Sequence, residues 1–149
     1  MPVIGQPLSF QQKWAFQVEI DSVIVGGFTK AGPLKQTMGL AEQEEGGQIT
    51  VVDITPTKFK TEPLTLERGG SNNVELWNWW LNQKQGIIDK RNVSVCGQDA
   101  QGNVTTRWNY VNCVIKEFEA GDFDAKNETE NIIEKMVLQA TDMNRVPGP

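Results

Sequence analysis

Apolar and polar residues alternate from Trp14 to Asp21, with Trp14, Phe16, Val18 and Ile20 on one parity and Ala15, Gln17, Glu19 and Asp21 on the other. A period of two marks a strand with one face in a core and the other toward solvent. Asp21-Ser22 turns the chain, and Val23 to Phe28 returns as a second strand closed by Gly26-Gly27. Lys30 to Gln48 is glycine-rich and polar, carrying Glu42, Glu44 and Glu45 ahead of Gly46-Gly47. Ile49 to Thr55 and Thr57 to Leu66 read as strands hinged at Pro56, their Thr, Val and Ile suiting a pleated surface. Together Lys35 to Leu66 make a long, mostly polar hairpin. With so little apolar content it cannot stabilise itself and must lean on another chain.

Between Pro63 and Leu81 the pattern changes. A short alternating strand, Leu64 to Arg68, ends at Gly69-Gly70, and a helix dense in tryptophan follows. Trp77, Trp79 and Trp80 are three of the chain's five tryptophans. Asn72 stands as the N-cap with Glu75 three residues on, and Gly86 stands where a C-terminal cap falls. Leu76, Trp77, Trp80 and Leu81 are expected on the buried face, with Trp79 pointing away. An exposed Trp is a candidate interface anchor. The alternative is that Trp79 lies flat on its own sheet. A helix this short is marginal in water and must be clamped by tertiary contacts.

Three strands follow, Asn92 to Gly97, Val104 to Tyr110 and Asn112 to Phe118, with a turn at Asp99 to Asn103. Trp108 and Tyr110 share one parity while Val111, Cys113 and Ile115 hold the other. That slip predicts a bulge or strand switch near Val111. Asp122 to Asn131 reads as a charged loop, and Ile132 to Ala140 as a last strand with Met136 and Leu138 inward. Residues 1–149 are expected to form one domain, with residues 1–12 an arm and residues 145–149 a flexible tail.

Composition narrows the functions open to such a domain. Histidine is absent, which removes the commonest general base and metal ligand. A net charge of -5 disfavours tight wrapping of nucleic acid, though not its passage alongside. Cys96 and Cys113 form no C-x-x-C pair and read as reduced, buried thiols. No signal-like N-terminus or long apolar run is present, so the chain is expected to fold in the cytosol, without stable membrane insertion. The carboxylates around Glu42 and from Glu117 to Asp124 read as a solvated surface rather than a paired acid and base. No phosphate-binding glycine motif or nucleophile elbow occurs. No enzyme activity, cofactor or metal site is expected.

Several segments in order resemble the tail tube proteins of contractile-tailed phages and contractile injection systems. They are Phe16-Gln17-Val18-Glu19-Ile20-Asp21, Gly27-Phe28, Glu44-Glu45-Gly46-Gly47, Leu64-Thr65-Leu66-Glu67-Arg68-Gly69, Leu76-Trp77-Asn78-Trp79-Trp80, the Trp108 strand and Glu130 to Leu138. Ala120 to Lys126 looks similar to tube-initiator variants at the baseplate, the alternative within the same family. The resemblance implies a mainly β fold: an antiparallel β-sandwich or partial barrel with one short helix and a long extended hairpin. It also implies that copies complete a β-barrel ring, that six form each ring, and that rings stack into a hollow tube. The implied partners are other copies, a sheath, and baseplate and terminator proteins, with DNA or protein cargo passing without tight binding. The implied location is the cytoplasm during assembly, then a phage tail or injection particle. Assembly contacts are expected at Glu44, Glu45, Gly46, Gly47, Thr50, Val52, Thr57, Phe59, Arg68 and Trp79. Glu42, Glu44 and Glu45 could line the lumen or face the next ring. A reading from another class is a carbohydrate-binding β-sandwich using Trp79 or Trp108 as a stacking platform.

Overall fold

The computed structural model describes residues 10–43, 53–70 and 74–146. Ten antiparallel strands and one helix follow in the order β1 (Phe16–Ile20), β2 (Val23–Val25), β3 (Phe28–Gly32), β4 (Gln36–Gln43), β5 (Asp53–Thr61), β6 (Leu64–Gly69), α1 (Glu75–Lys84), β7 (Arg91–Gln98), β8 (Val104–Glu119), β9 (Ile133–Gln139) and β10 (Asp142–Val146). Strands pair in the order β2-β1-β7-β8-β9-β6-β3, with β10 added beside β8, while β4 and β5 form a two-stranded sheet of their own.

The organising element is β8. Its first part pairs with β7 and β10, and its last part pairs with β9. The two expected strands are thus one continuous strand that passes from one sheet to the other. The switch falls where the parity slip places it. Asn112 has φ of 53°, and the β7 register jumps between Arg91↔Cys113 and Val93↔Tyr110. Asn tolerates this left-handed backbone and β-branched residues do not. Asn112→Val is therefore expected to cost about 1–3 kcal/mol, with Asn112→Gly close to neutral. Urea midpoints of the two variants check this.

Folding about β8 brings two apolar faces together. Val18, Ile20, Val93, Val95 and Tyr110 meet Leu64, Leu66, Ile115, Met136 and Leu138, and α1 adds Leu76 and Trp79. The alternation of β1 is borne out for Val18 and Ile20, but Trp14 lies before the strand and is largely exposed. Asp21 and Ser22 both take positive φ, 50° and 67°, as a two-residue hairpin turn requires. The return strand is shorter than expected, because the chain leaves it at Gly26-Gly27 and starts β3 at Phe28 on the second sheet.

Pro56 is not a hinge. It sits inside β5 opposite Leu40, and the break comes at Glu62-Pro63. Proline is tolerated there because, among the described residues, β5 pairs with β4 alone and no further strand needs its missing N–H. Arg145 and Val146 belong to β10 rather than to a tail, pairing with Trp108 and Arg107.

Helix α1 starts at Glu75 with Val74 in the cap position and no side-chain cap bond. The expected cap, Asn72, lies outside the described residues. The C-terminal end is as expected. Gly86 has φ of 83°, its N–H reaches the Gln83 carbonyl at 3.2 Å, and the Ile87 N–H reaches the Asn82 carbonyl at 3.0 Å. This is the Schellman arrangement, which satisfies the last free carbonyls of the helix.

Candidate functional site: an unpartnered hairpin and an apolar groove

The β4–β5 hairpin projects from the domain with nearly every residue of both strands exposed. Its base is tied down. Gln36 Nε2 donates to Thr61 Oγ1 at 3.2 Å and to Asp142 Oδ1 at 3.0 Å, and Gln139 Nε2 donates to the Thr61 carbonyl at 2.8 Å. Beyond that base, one face of the hairpin is apolar. Met38, Leu40 and Glu42 alternate along one side of β4, and the register sets Phe59, Pro56 and Ile54 opposite them. Directly opposed residues share a face.

Phe59 reaches that face only because of a bulge. Ile54 and Phe59 are an odd number apart, so a regular strand would put them on opposite sides. One extra β5 residue is accommodated between Met38 and Leu40, and the parity is restored. Gly39 permits this: a Cβ there would stand 2.5 Å from Thr57 Oγ1 and 3.3 Å from the Lys58 carbonyl. Met38, Leu40, Ile54 and Phe59 are each more than half exposed, so no other described residue covers this sheet face.

A second apolar feature lies between β1 and β3, floored by β7 and β8. A groove of about 670 Å³ is lined by Trp14, Phe16, Phe28, Leu34 and Trp108, and the charged residues on its lining are Lys13 and Lys30. Gln11 fixes the approach of the arm to this groove. Its amide donates to the Ala15 and Gln98 carbonyls at 3.0 and 2.9 Å and accepts from Thr105 Oγ1 at 2.9 Å.

The expected assembly residues divide three ways. Thr57 and Phe59 are on the exposed hairpin. Glu44, Glu45, Gly46, Gly47, Thr50 and Val52 lie outside the described residues. Arg68 and Trp79 are corrected, because both point into their own protomer. Arg68 continues the inward parity of Leu64 and Leu66, and its Nε meets Glu134 Oε2 at 3.0 Å directly across the β6–β9 pair. Trp79 is 0% exposed; its Nε1–H donates to the Asp89 carbonyl at 2.8 Å and the Arg91 guanidinium lies 5.1 Å from its ring. It offers no open face to a partner or a sugar. Trp108, the other proposed sugar platform, is half-buried with the Arg145 guanidinium 5.5 Å above it.

The helix is rotated from the expected phase. Leu76 is buried as expected, Trp80 and Leu81 are half-buried, and Trp77 is 41% exposed, stacking edge-on against Phe118 under Lys84. Gln83 explains the rotation. Its side-chain amide donates to the Ile115 carbonyl and accepts from the Ile115 N–H at 2.9 Å, taking the place along β8 just beyond the point where β7 begins at Arg91. A polar side chain thus occupies the inward row with Leu76, Trp79 and Trp80.

Glu19 also departs from expectation. It faces away from the core but is 8% exposed, because Arg107 Nη1 approaches at 3.0 Å and Cys96 Sγ donates to it at 3.2 Å. Both cysteines are free and buried. Burial, and for Cys96 also the Glu19 hydrogen bond, pushes the Cys96 thiol up to about 11, and burial pushes Cys113 up to about 12. The unfolded chain releases these protons near 9, so the stability they contribute is intact below that pH and is lost as pH rises toward 12. The urea midpoint is expected to fall between about pH 8.5 and about pH 10.5, and neither thiol should react with a water-soluble disulfide reagent in the folded protein.

Glu67, Glu119, Asp122, Asp124 and Glu130 line an open, polar cleft of about 410 Å³. Among the described residues, no group of His, Cys, Asp and Glu is arranged to hold a metal ion, and no helix is long and apolar enough to cross a membrane.

The chain is thus a mainly β domain of antiparallel sheets with one short, clamped helix and a separate two-stranded arm. A family model described as T4-like virus tail tube protein gp19 matches residues 12–144, and the chain belongs to that family. No curated protein matches it. Among solved structures, it is similar to a chain of the anti-feeding prophage tube-terminating cap, with TM-score 0.83, 20% identity and coverage of 99% of this chain and 100% of that one. A chain of the PVC extracellular contractile injection system, from its sheath-tube complex in the extended state, gives TM-score 0.80 and 16% identity over 97% and 94%. Hcp1 from Flavobacterium johnsoniae gives TM-score 0.56 and 14% identity over 90% and 96%. At such identities the likeness establishes a shared fold.

Proposed function

We propose that this chain is the repeating subunit of the inner tube of a contractile tail or injection system. Copies close into rings, six to a ring, and the rings stack around a hollow lumen that carries DNA or protein cargo. A sheath surrounds the tube, and baseplate and terminator proteins bound its ends. The chain's work is mechanical, with no chemical step.

One observation carries this reading: a two-stranded sheet that exposes its backbone edges and its apolar face together. A solitary hairpin is marginal in water, and exposed sheet edges invite pairing with another chain. Closing copies into a ring removes both liabilities. Membership in the tail tube family supports this reading.

Negative-stain microscopy of the purified chain tests this directly. Stacked rings or tubes are expected at high protein concentration. Rings that never stack would place the chain at a tube end instead, and dispersed single copies under every condition would overturn the reading.

A further inference from the structure

We infer that the apolar face of the β4–β5 hairpin seats in the groove between β1 and β3 of a neighbouring copy. This rests on the tube reading and names the contact that would build it. Both halves of the joint are on the same polypeptide, and among the described residues each keeps apolar side chains open to solvent. The hairpin presents Met38, Leu40, Ile54, Pro56 and Phe59 on one face. The groove presents Trp14, Phe16, Phe28, Leu34 and Trp108.

Charge selects between this occupant and an unrelated apolar partner. The carboxylate of Glu42 lies on the hairpin's apolar face, set opposite Ile54. The charged residues lining the groove are Lys13 and Lys30, with no carboxylate among the residues that form it. A strand rises about 3.3 Å per residue, so the eight residues of β4 span roughly 25 Å, long enough to leave one protomer and cross onto another. Knob and hole are different surfaces of one chain, which makes the contact head-to-tail. Contacts of that kind generate rings or open helices rather than closed pairs.

The hairpin also grows from the rim of its own groove, since Leu34 lines the groove and Gln36 begins β4. Each copy would therefore receive one hairpin beside the point where it extends its own. The bulge at Gly39 makes the joint specific, because it alone brings Phe59 into line with Ile54.

Photo-crosslinking of the whole chain tests this. A benzophenone amino acid is placed at position 59, isotopically light and heavy protein are mixed, and crosslinked peptides are mapped after illumination of the assembled material. Mixed light–heavy crosslinks to residues 13–16 or 28–34 are expected. Mixed crosslinks to any other face would overturn the groove assignment and leave the tube reading standing. Light–light and heavy–heavy crosslinks alone would show the hairpin in its own groove and also overturn it. Material that never assembles would instead remove the tube reading itself. A charge exchange gives an independent check. Glu42→Lys should raise the protein concentration needed for assembly on the order of tenfold, and adding Lys13→Glu and Lys30→Glu to the same chain should recover most of it. No recovery would count against the joint.

Discussion

Trp79→Ala is expected to destabilise the fold by about 3–5 kcal/mol, the range for removing a large aromatic side chain from a packed core. Its ring is sealed among Leu76 and the two sheet faces, and its indole N–H is bonded to the Asp89 carbonyl at 2.8 Å. The truncation therefore opens a cavity and leaves the half-buried Asp89 carbonyl without this donor. Arg91, whose guanidinium lies over the ring and is paired with Asp89 at 3.0 Å, would lose one of its two supports. Trp77→Ala should cost much less, about 1–2 kcal/mol, because that ring is partly open to solvent and rests on Phe118. Chemical denaturation of both variants measures the contrast. A thermal midpoint for Trp79→Ala within a degree of the parent, where a drop on the order of 10 °C is expected, would show the ring is not the core element described.

The contrast between these two tryptophans shows where sequence reading succeeds and fails. Counting apolar residues places the buried face over Leu76, Trp77, Trp80 and Leu81, roughly a quarter turn from its true position. The error comes from Gln83, which scores as polar yet faces inward to bracket Ile115. Nothing in its local sequence reveals that a free stretch of the β8 edge waits for an amide. Glu19 fails for a related reason: its parity is right, but Arg107 and Cys96 on neighbouring strands close over it. Signals carried within one element are legible. The parity slip at Val111, the turn at Asp21-Ser22 and the cap at Gly86 each record a local backbone demand, and each is met. The edge strands β3 and β10 escape notice because little in either faces the core: Gly32 in β3 and Met143 in β10 are their buried residues. On the hairpin the alternation of Met38 and Leu40 is visible once sought, but Phe59 joins that face only through a bulge.

Excising the hairpin is expected to separate folding from assembly. Replacing residues 38–59 with a short turn retains Gln36 and Thr61, which hold the base to Asp142 and Gln139. The core lies elsewhere: the buried cluster draws on β1, β6, β7, β8, β9, β10 and α1, and takes nothing from β4 or β5. The shortened chain should therefore keep its thermal midpoint to within about 5 °C, since a shift of that size reflects only 1–2 kcal/mol in a chain of this length. Shortening the connection also slightly lowers the entropic cost of closing it. Assembly should be lost altogether, because the apolar face and both free edges of the arm go with the hairpin. Sedimentation velocity beside a thermal melt reads the two properties on the same sample. Rings or tubes from the shortened chain would show that other surfaces are sufficient to assemble it. A collapse of the melt would show instead that β4 and β5 support the core, despite being exposed along almost their whole length.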